Sequence, residues 1–196
     1  FSTYMRLDLI ASKPETIDLL YDSGCRSVFF GIETFNHQAG KNIGKGMNPN
    51  KIKDTLYLLR ERWPDTVISA GFIAGLPYET EESLDETIDW LKKKDCPIDS
   101  PSLQVLSVGQ KSKIGSNPFE FGIELTDYGW KSKWTNSKRM KQIVESTNFP
   151  IINNFTFYNR IKNLGLKKKY MTTSDFDVID KNYKKLFNEY KNKING

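Results

Sequence analysis

The stretch that decides the fold is TVISAGFIAGLPYET, residues 66–80. It begins as a nearly continuous apolar run, which predicts a buried strand over Thr66–Ile73. Two glycines, Gly71 and Gly75, fall at the end of this run, and a helix start follows at Thr80. Such glycines let a flat ligand ring approach the backbone closely, and they are equally typical of a tight strand-to-helix turn. The spacing fits neither a dinucleotide-binding glycine fingerprint nor a phosphate-binding loop.

Strand and helix alternate on both sides of this stretch. Further strands are predicted over Tyr4–Ile10, Ser27–Ile32 and Ser102–Val108. Helices are predicted from a Ser12–Glu15 capping box to Gly24, from Asn48 to Trp63, and from Thr80 to Lys94. This β-α-β-α-β-α-β order predicts parallel strands joined by right-handed crossovers. The residues alone leave two outcomes open, a closing barrel and an open doubly wound sheet.

Barrel strands place alternate residues toward the helices and toward the lumen. The predicted helix-facing set is Met5, Leu7, Leu9, Val28, Phe30 and Ile32. The predicted lumen set includes Arg6, Asp8, Gly31 and Glu33. Charged groups near the carboxyl ends of parallel strands lie where α/β proteins build their sites.

Composition narrows the class of protein. The 196 residues are 38% apolar and 13% aromatic, which is enough for a hydrophobic core and argues against global disorder. No run approaches the ~20 apolar residues of a membrane span. Cys25 and Cys96 have no partner at metal-ligand spacing, and His37 is the only histidine. We therefore expect reduced thiols, a cytoplasmic location and no association with a membrane.

Two features concern the ends of the chain. It opens at Phe1 with a strand-like run within four residues, so we expect an N-terminal part of a longer protein to be missing. After the loop-like segment Gly109–Gly122, helices are predicted over Ser137–Ser146, Phe155–Asn163 and Asp175–Ile194. Residues 126–196 carry 15 Lys/Arg against 6 Asp/Glu, which indicates either a nucleic-acid surface or an ordinary solvated one.

Two more residues attract attention beside the glycines. Glu33 ends a predicted strand, and Lys45 lies between two glycines; each is equally an ordinary surface residue when taken alone. In their order and spacing, four segments together resemble the radical S-adenosylmethionine (SAM) superfamily: Arg6-Leu7-Asp8, Gly24–Thr34, Lys45-Gly46 and Gly71–Thr80. The resemblance is strongest to cobalamin-binding members, tRNA methylthiotransferases and oxygen-independent coproporphyrinogen oxidases. It covers about residues 3–110.

The resemblance implies an α/β fold that is the second half of a (β/α)6 partial TIM-type barrel. Strands three to six of that barrel would lie in residues 1–125, and residues 126–196 would form a basic, mainly helical extension. By the same resemblance, Glu33 would contact the ribose of SAM and Lys45 its carboxylate.

Other residues follow from the resemblance alone. The backbone of Gly71, Ile73 and Gly75 would pack along the adenine, and Leu106–Val108 would lie beside it. Pro77 comes one position earlier than in the strictest form of the motif. Arg6 and Asp8 would be lumen residues near SAM or substrate.

The family's chemistry implies further groups. SAM is cleaved at a [4Fe-4S] cluster held by a Cys-x3-Cys-x2-Cys loop, which this chain lacks. We therefore expect the cluster to bind the missing N-terminal part and this chain alone to be inactive. Cobalamin is a further cofactor of this branch, and an electron donor such as flavodoxin or ferredoxin would be a partner.

The substrate is not specified by the resemblance. One alternative is a cluster-less half-barrel that binds RNA through its basic C-terminal region. Another is an unrelated α/β enzyme whose Gly-Leu-Pro turn is coincidental.

Overall fold

The computed structural model describes residues 1–147 and 149. Its first part alternates β1 (Ser2–Met5), α1 (Leu7–Ser12), α2 (Thr16–Asp22), β2 (Ser27–Glu33), α3 (His37–Asn42), α4 (Pro49–Arg62), β3 (Val67–Ala74), α5 (Glu81–Leu91) and β4 (Ser100–Val105). Its second part holds α6 (Lys113–Ser116), a 3-10 turn (Pro118–Phe121), β5 (Ile123–Thr126), β6 (Gly129–Ser132) and α7 (Ser137–Ser146). The predicted alternation is confirmed, whereas α1 and α3 are additions to it.

Four parallel strands form one sheet in the order β1-β2-β3-β4. Because each strand pairs in parallel with the next one along the chain, every connection is a crossover. Right-handed crossovers then place all the connecting helices on one face of the sheet. A doubly wound sheet would instead reverse its strand order and carry helices on both faces. The predicted α/β class with the parallel strands of a partial barrel is therefore confirmed.

The helix-facing side of the sheet is apolar, as the alternation of β2 predicts. Val28, Phe30 and Ile32 of β2 are buried, whereas the intervening Gly31 is only partly so. These side chains join one core with the stripe of α4, which consists of Ile52, Leu56, Leu59 and Trp63. Burying a large apolar side chain contributes roughly 1.5–3 kcal/mol, so this face supplies most of the stability of the sheet.

The strand predicted over Tyr4–Ile10 is wrong beyond Met5. Residues Leu7–Ser12 form a helix, in which Leu7 and Ile10 are buried and Leu9 is 61% exposed. A short apolar run fits a period of two or of 3.6 equally well. The helical period wins here because it brings Leu7 and Ile10, three residues apart, onto one face that packs against α4. Leu9 therefore does not face the helix layer as predicted.

The capping box predicted at Ser12 and Glu15 is also wrong. Ser12 ends α1, and its hydroxyl donates to the carbonyl of Leu9 at 2.8 Å. The next helix begins at Thr16 after Glu15, which makes no side-chain cap. The end of that helix is as predicted, since Gly24 follows it in a left-handed conformation with φ +88°.

The segment after residue 109 is not purely helical. A hairpin of β5 and β6 pairs Ile123 with Ser132, and the predicted boundary between 1–125 and 126–196 falls inside β5. The helix predicted over Ser137–Ser146 is confirmed as α7. The helices predicted over Phe155–Asn163 and Asp175–Ile194 lie outside the described residues. In the part of the chain that is described, no helix is long and apolar enough to cross a membrane.

A buried ion pair holds the amino-terminal end of the sheet. Arg60 of α4 contacts Asp99 at 2.6 Å and donates to the carbonyl oxygens of Pro97 and Thr66. The same Asp99 oxygen accepts the backbone N–H of Ile68 at 2.8 Å. One guanidinium thus ties the loops before β3 and β4 to the preceding helix.

We expect Arg60→Met to lower the free energy of unfolding by about 3 kcal/mol, because it removes the guanidinium that lies 2.6 Å from the buried carboxylate of Asp99. Arg62→Met removes the exposed Arg62–Asp18 pair of similar length and should cost at most about 1 kcal/mol. Urea unfolding of both variants measures the difference. Equal losses in the two variants would contradict the assigned role of Arg60.

Candidate functional site

A small recess lies at the carboxyl ends of β1 and β2. Its volume is about 50 Å³, well below the roughly 300–1,000 Å³ of pockets that enclose a small molecule. Polar groups on it come from Arg6, Asp8 and Lys45, and its lining also includes Gly31, Gly44, Gly46, Leu7, Ile32, Met47 and Ile52. A recess of this size has room for no more than one end of a small-molecule ligand.

Glu33 lies beside Lys45, one of the residues that line this recess. Glu33 is the last residue of β2 and has a left-handed backbone, with φ +72°. The Lys45 ammonium donates to the carbonyl of Gly31 at 2.8 Å and lies 3.8 Å from a Glu33 carboxylate oxygen. Burial raises the pKa of Glu33, and the charge of Lys45 opposes that rise. The structure thus brings together a carboxylate and an ammonium that are twelve residues apart in sequence.

The loop that carries Lys45 is itself anchored. Asn36 caps α3 by accepting the backbone N–H of Ala39, and the Lys45 N–H donates to the carbonyl of Gly40 at 2.8 Å. The Lys45 backbone passes so close to Gly40 that a side chain there would clash with it. Lys45 therefore extends over Gly31 from a tightly packed helix end.

Arg6 and Asp8 line the recess from a helix rather than from the predicted strand. Arg6 precedes α1 and Asp8 lies in its first turn. The two side chains form a bidentate pair, with contacts of 3.1 and 2.7 Å. The guanidinium holds the pKa of Asp8 below its usual value. Both remain at the site edge of the sheet, because β1 ends at Met5 immediately before them.

Two glycines face each other across β2 and β3. Gly31 pairs in register with Gly71, and Gly71 pairs in turn with Ser102 of β4. A Cβ on Gly31 would lie 2.6 Å from a carboxylate oxygen of Glu33 and 3.6 Å from the Lys45 ammonium. At Gly71 the same space is filled by the ring of Phe29, 2.9 Å away. The space that a side chain would fill is therefore taken by the Glu33 carboxylate at Gly31 and by the Phe29 ring at Gly71.

The end of β3 leads into a well-defined turn. The Glu79 N–H donates to the carbonyl of Leu76 at 2.9 Å, and Tyr78 has φ +71°. This is the pattern of a type II turn, in which proline is favoured at the second position, here Pro77. The structure therefore gives Pro77 a role in shaping the turn, and it places Ile73 on the partly exposed inner side of β3.

Glu79 is the site residue that the sequence analysis missed. Its carboxylate is 1% exposed and accepts the Gly75 N–H at 2.7 Å and the Thr34 hydroxyl at 2.9 Å. Thr34 in turn accepts the N–H of Asn36. Burial raises the pKa of Glu79 to about 7. The signal available in the sequence was a lone acid between an apolar turn and the helix cap at Thr80.

The two cysteines do not fit a cluster site. Cys25 precedes β2 and Cys96 precedes β4, so both lie at the edge of the parallel sheet opposite Glu33 and Lys45. A [4Fe-4S] cluster of this family needs three thiolates, and the chain has two cysteines in all. Within residues 1–147 and 149, no group of three or more His, Cys, Asp or Glu side chains could hold a metal ion.

The raised pKa of Glu79 predicts a specific dependence of stability on pH. A carboxyl whose pKa is higher in the folded than in the unfolded state stabilises fully at low pH and loses that contribution as pH rises through 7. Glu79→Gln keeps a neutral side chain that can still accept from Gly75. Urea unfolding should show wild type losing about 2–3 kcal/mol relative to this variant between pH 5 and pH 8. A difference that stays constant with pH would contradict a neutral buried carboxyl.

Comparisons with known proteins match the part of the chain that forms the parallel sheet. Residues 2–91 match the family model of the radical SAM superfamily. A tRNA-2-methylthio-N(6)-dimethylallyladenosine synthase of Clostridium botulinum is 27% identical over 95 residues, which is 45% of this chain and 21% of that protein. An uncharacterized methyltransferase of Pyrococcus horikoshii is 35% identical over 74 residues, 38% of this chain and 16% of that protein. The chain thus spans about a fifth or less of the length of these relatives.

A solved structure shows the same fold. The coproporphyrinogen III oxidase of Escherichia coli, a radical SAM enzyme, superimposes with a TM-score of 0.53 at 19% identity. The superposition covers 72% of this chain and 30% of that chain. The parallel sheet, the match over residues 2–91 and the similarity to these relatives lead to one conclusion: they support membership of the radical SAM superfamily for the part of the chain that the family model matches.

Proposed function

We propose that this chain supplies the SAM-contacting edge of a radical SAM enzyme. The observation that carries the proposal is the placement of Glu33 and Lys45 beside each other over Gly31, at the carboxyl end of a parallel sheet. This is the edge at which α/β folds bind their ligands. The bound SAM would supply the adenosyl group from which the radical chemistry of this family starts.

The chemistry of SAM divides between the two charged residues. The carboxylate of Glu33 is an acceptor for the two ribose hydroxyls, and its half-buried position strengthens such hydrogen bonds. The ammonium of Lys45 has three donors, of which one is used by Gly31. The Glu33 carboxylate lies 3.8 Å from the same ammonium. A further donor would pair with the carboxylate of the methionine part, so Lys45 would hold that end and Glu33 the ribose.

The adenine would lie along the inner face of β3. Gly71 and Ile73 alternate on this side of the strand, and Gly75 follows it beneath the ring of Trp130. Ile73 would supply apolar contact, and the ring of Phe29 beside Gly71 would limit how deep the base can enter. Arg6 and Asp8, paired with each other, would line the recess near the methionine part or the substrate.

The iron–sulfur cluster of the family would be held outside this chain. The residues of this chain do not fit a three-thiolate site, so we derive no step through the cluster and assign its ligands to sequence outside this chain. Among the described residues no strand pairs with the outer edge of β1, where Tyr4 is 83% exposed, so this edge is suited to further strands. The reductive cleavage of SAM, the electron donor and the substrate are properties of that larger assembly.

The RNA-binding alternative gains little from the described part of the basic segment. Lys131 pairs with Glu124, and Arg139 pairs with Glu81. These charges are already balanced by acidic neighbours rather than forming an unopposed stripe of the kind that tracks a phosphate backbone. We therefore keep SAM binding as the proposed function.

Binding of S-adenosylhomocysteine (SAH), which shares the ribose, adenine and amino-acid parts of SAM, tests the proposal directly. We expect calorimetry to detect SAH binding by the chain, and Lys45→Met and Glu33→Gln each to weaken it about tenfold, as loss of a charge-assisted contact does. Lys51→Met changes an exposed lysine in the first turn of α4 and should leave the affinity unchanged. Equal affinities for the Lys45 and Lys51 variants would overturn the assignment.

A further inference from the structure

The turn between β3 and α5 is held from two sides. On one side, Glu79 and Thr34 connect it to the loop after β2. On the other side it is contacted by three side chains of the hairpin and α7, all of which lie outside the family-matched residues 2–91. Those three side chains are Trp130, Trp134 and Arg139, and the turn they contact comprises Gly75–Glu81.

Trp130 covers the start of the turn. It is 4% exposed, and its indole lies so close to Gly75 that a Cβ on that residue would overlap the ring. Its Nε1–H donates to the carbonyl of Leu106 at 2.8 Å, just after β4. The indole therefore ties the ends of β3 and β4 together across a backbone with φ +90°, which only glycine adopts readily.

Trp134 and Arg139 hold the middle and the end of the turn. The rings of Trp134 and Tyr78 have centroids 4.6 Å apart, and Tyr78 is the turn residue with a left-handed backbone. Arg139 binds Glu81 in the first turn of α5 through both ends of its guanidinium, with contacts of 3.1 and 2.8 Å. A non-glycine residue in that conformation persists only where surrounding contacts impose it.

We propose that Trp130, Trp134 and Arg139 are positioning residues that set the Gly75–Glu81 turn for binding of the adenosyl group. This inference rests on the proposed function, in which the end of β3 that leads into this turn lies along the adenine. The three side chains act on the turn and not on the ligand. Small displacements of a binding backbone reduce affinity strongly, so a loosened turn weakens binding without removing any ligand contact.

Charge reversal at an exposed position tests this while leaving the core intact. Arg139→Glu places a second carboxylate opposite that of Glu81. The double variant Glu81→Arg and Arg139→Glu restores the ion pair with its two charges exchanged. Lys131→Glu is the matched control, since it reverses a charge in the exposed Lys131–Glu124 pair of the hairpin, away from the turn. The readouts are amide hydrogen exchange at Gly75 and Glu79 and the dissociation constant for SAH.

We expect Arg139→Glu to speed exchange at both amides about fivefold and to weaken SAH binding about fivefold. The double reversal should bring both values back to within about twofold of wild type, and Lys131→Glu should change neither. Trp134→Leu should act in the same direction as Arg139→Glu, whereas Trp134→Phe, which keeps an aromatic ring on Tyr78, should not.

Two results would overturn the inference. One is exchange in Arg139→Glu that equals exchange in Lys131→Glu. The other is faster exchange with an unchanged SAH affinity, which would make the contacts structural only. Failure of the unaltered chain to bind SAH would instead contradict the proposed function, and the exchange comparison would still show whether these residues hold the turn.

Discussion

The buried carboxylate of Glu79 is the contact on which the site edge of this protein depends. Two parallel strands share no hairpin, so nothing in their pairing fixes the loops that follow them. Glu79 supplies that connection by accepting from Gly75 after β3 and from Thr34 after β2. Thr34 also accepts the N–H of Asn36, whose side chain caps α3. Gly40 of that helix in turn accepts the backbone N–H of Lys45 through its carbonyl oxygen. A single acid thereby relates the two proposed ligand-contacting loops.

Different groups occupy the space beside each glycine of the site and exclude a side chain there. From the sequence, Gly71 and Gly75 are expected either to let a ligand approach the backbone closely or to form a tight strand-to-helix turn. In the structure their missing side chains are replaced by protein rings, Phe29 at Gly71 and Trp130 at Gly75. The glycine whose missing side chain leaves room for Glu33 and Lys45 is Gly31, which was predicted only as a lumen residue. The positions of glycines along one strand indicate where a side chain would not fit. They do not indicate which group of the folded protein occupies that space, because that group comes from another part of the sequence.

Much of the fold could be predicted because its signals are local and long. The strand β2 and the helices α4 and α7 show clear periodicity over seven to fourteen residues, with Asn48 and Asn136 as helix caps. The helix α1 and the hairpin could not be predicted, because their elements are too short. Six residues in α1 and four in each hairpin strand, with at most two buried side chains each, fit a helical and a strand periodicity equally well. Glu79 was missed for another reason, because its partners Thr34 and Gly75 converge on it only once the sheet has formed.

The most direct test of the account is a map of where SAH binds on the folded chain, by backbone amide chemical shifts in a nitrogen-15 NMR titration. The account predicts that the largest shifts fall on Gly31, Lys45 and Gly71, at the carboxyl edge of the sheet. Shifts that concentrate instead on the hairpin or on the opposite edge near Cys25, or a titration without any shift, would contradict it.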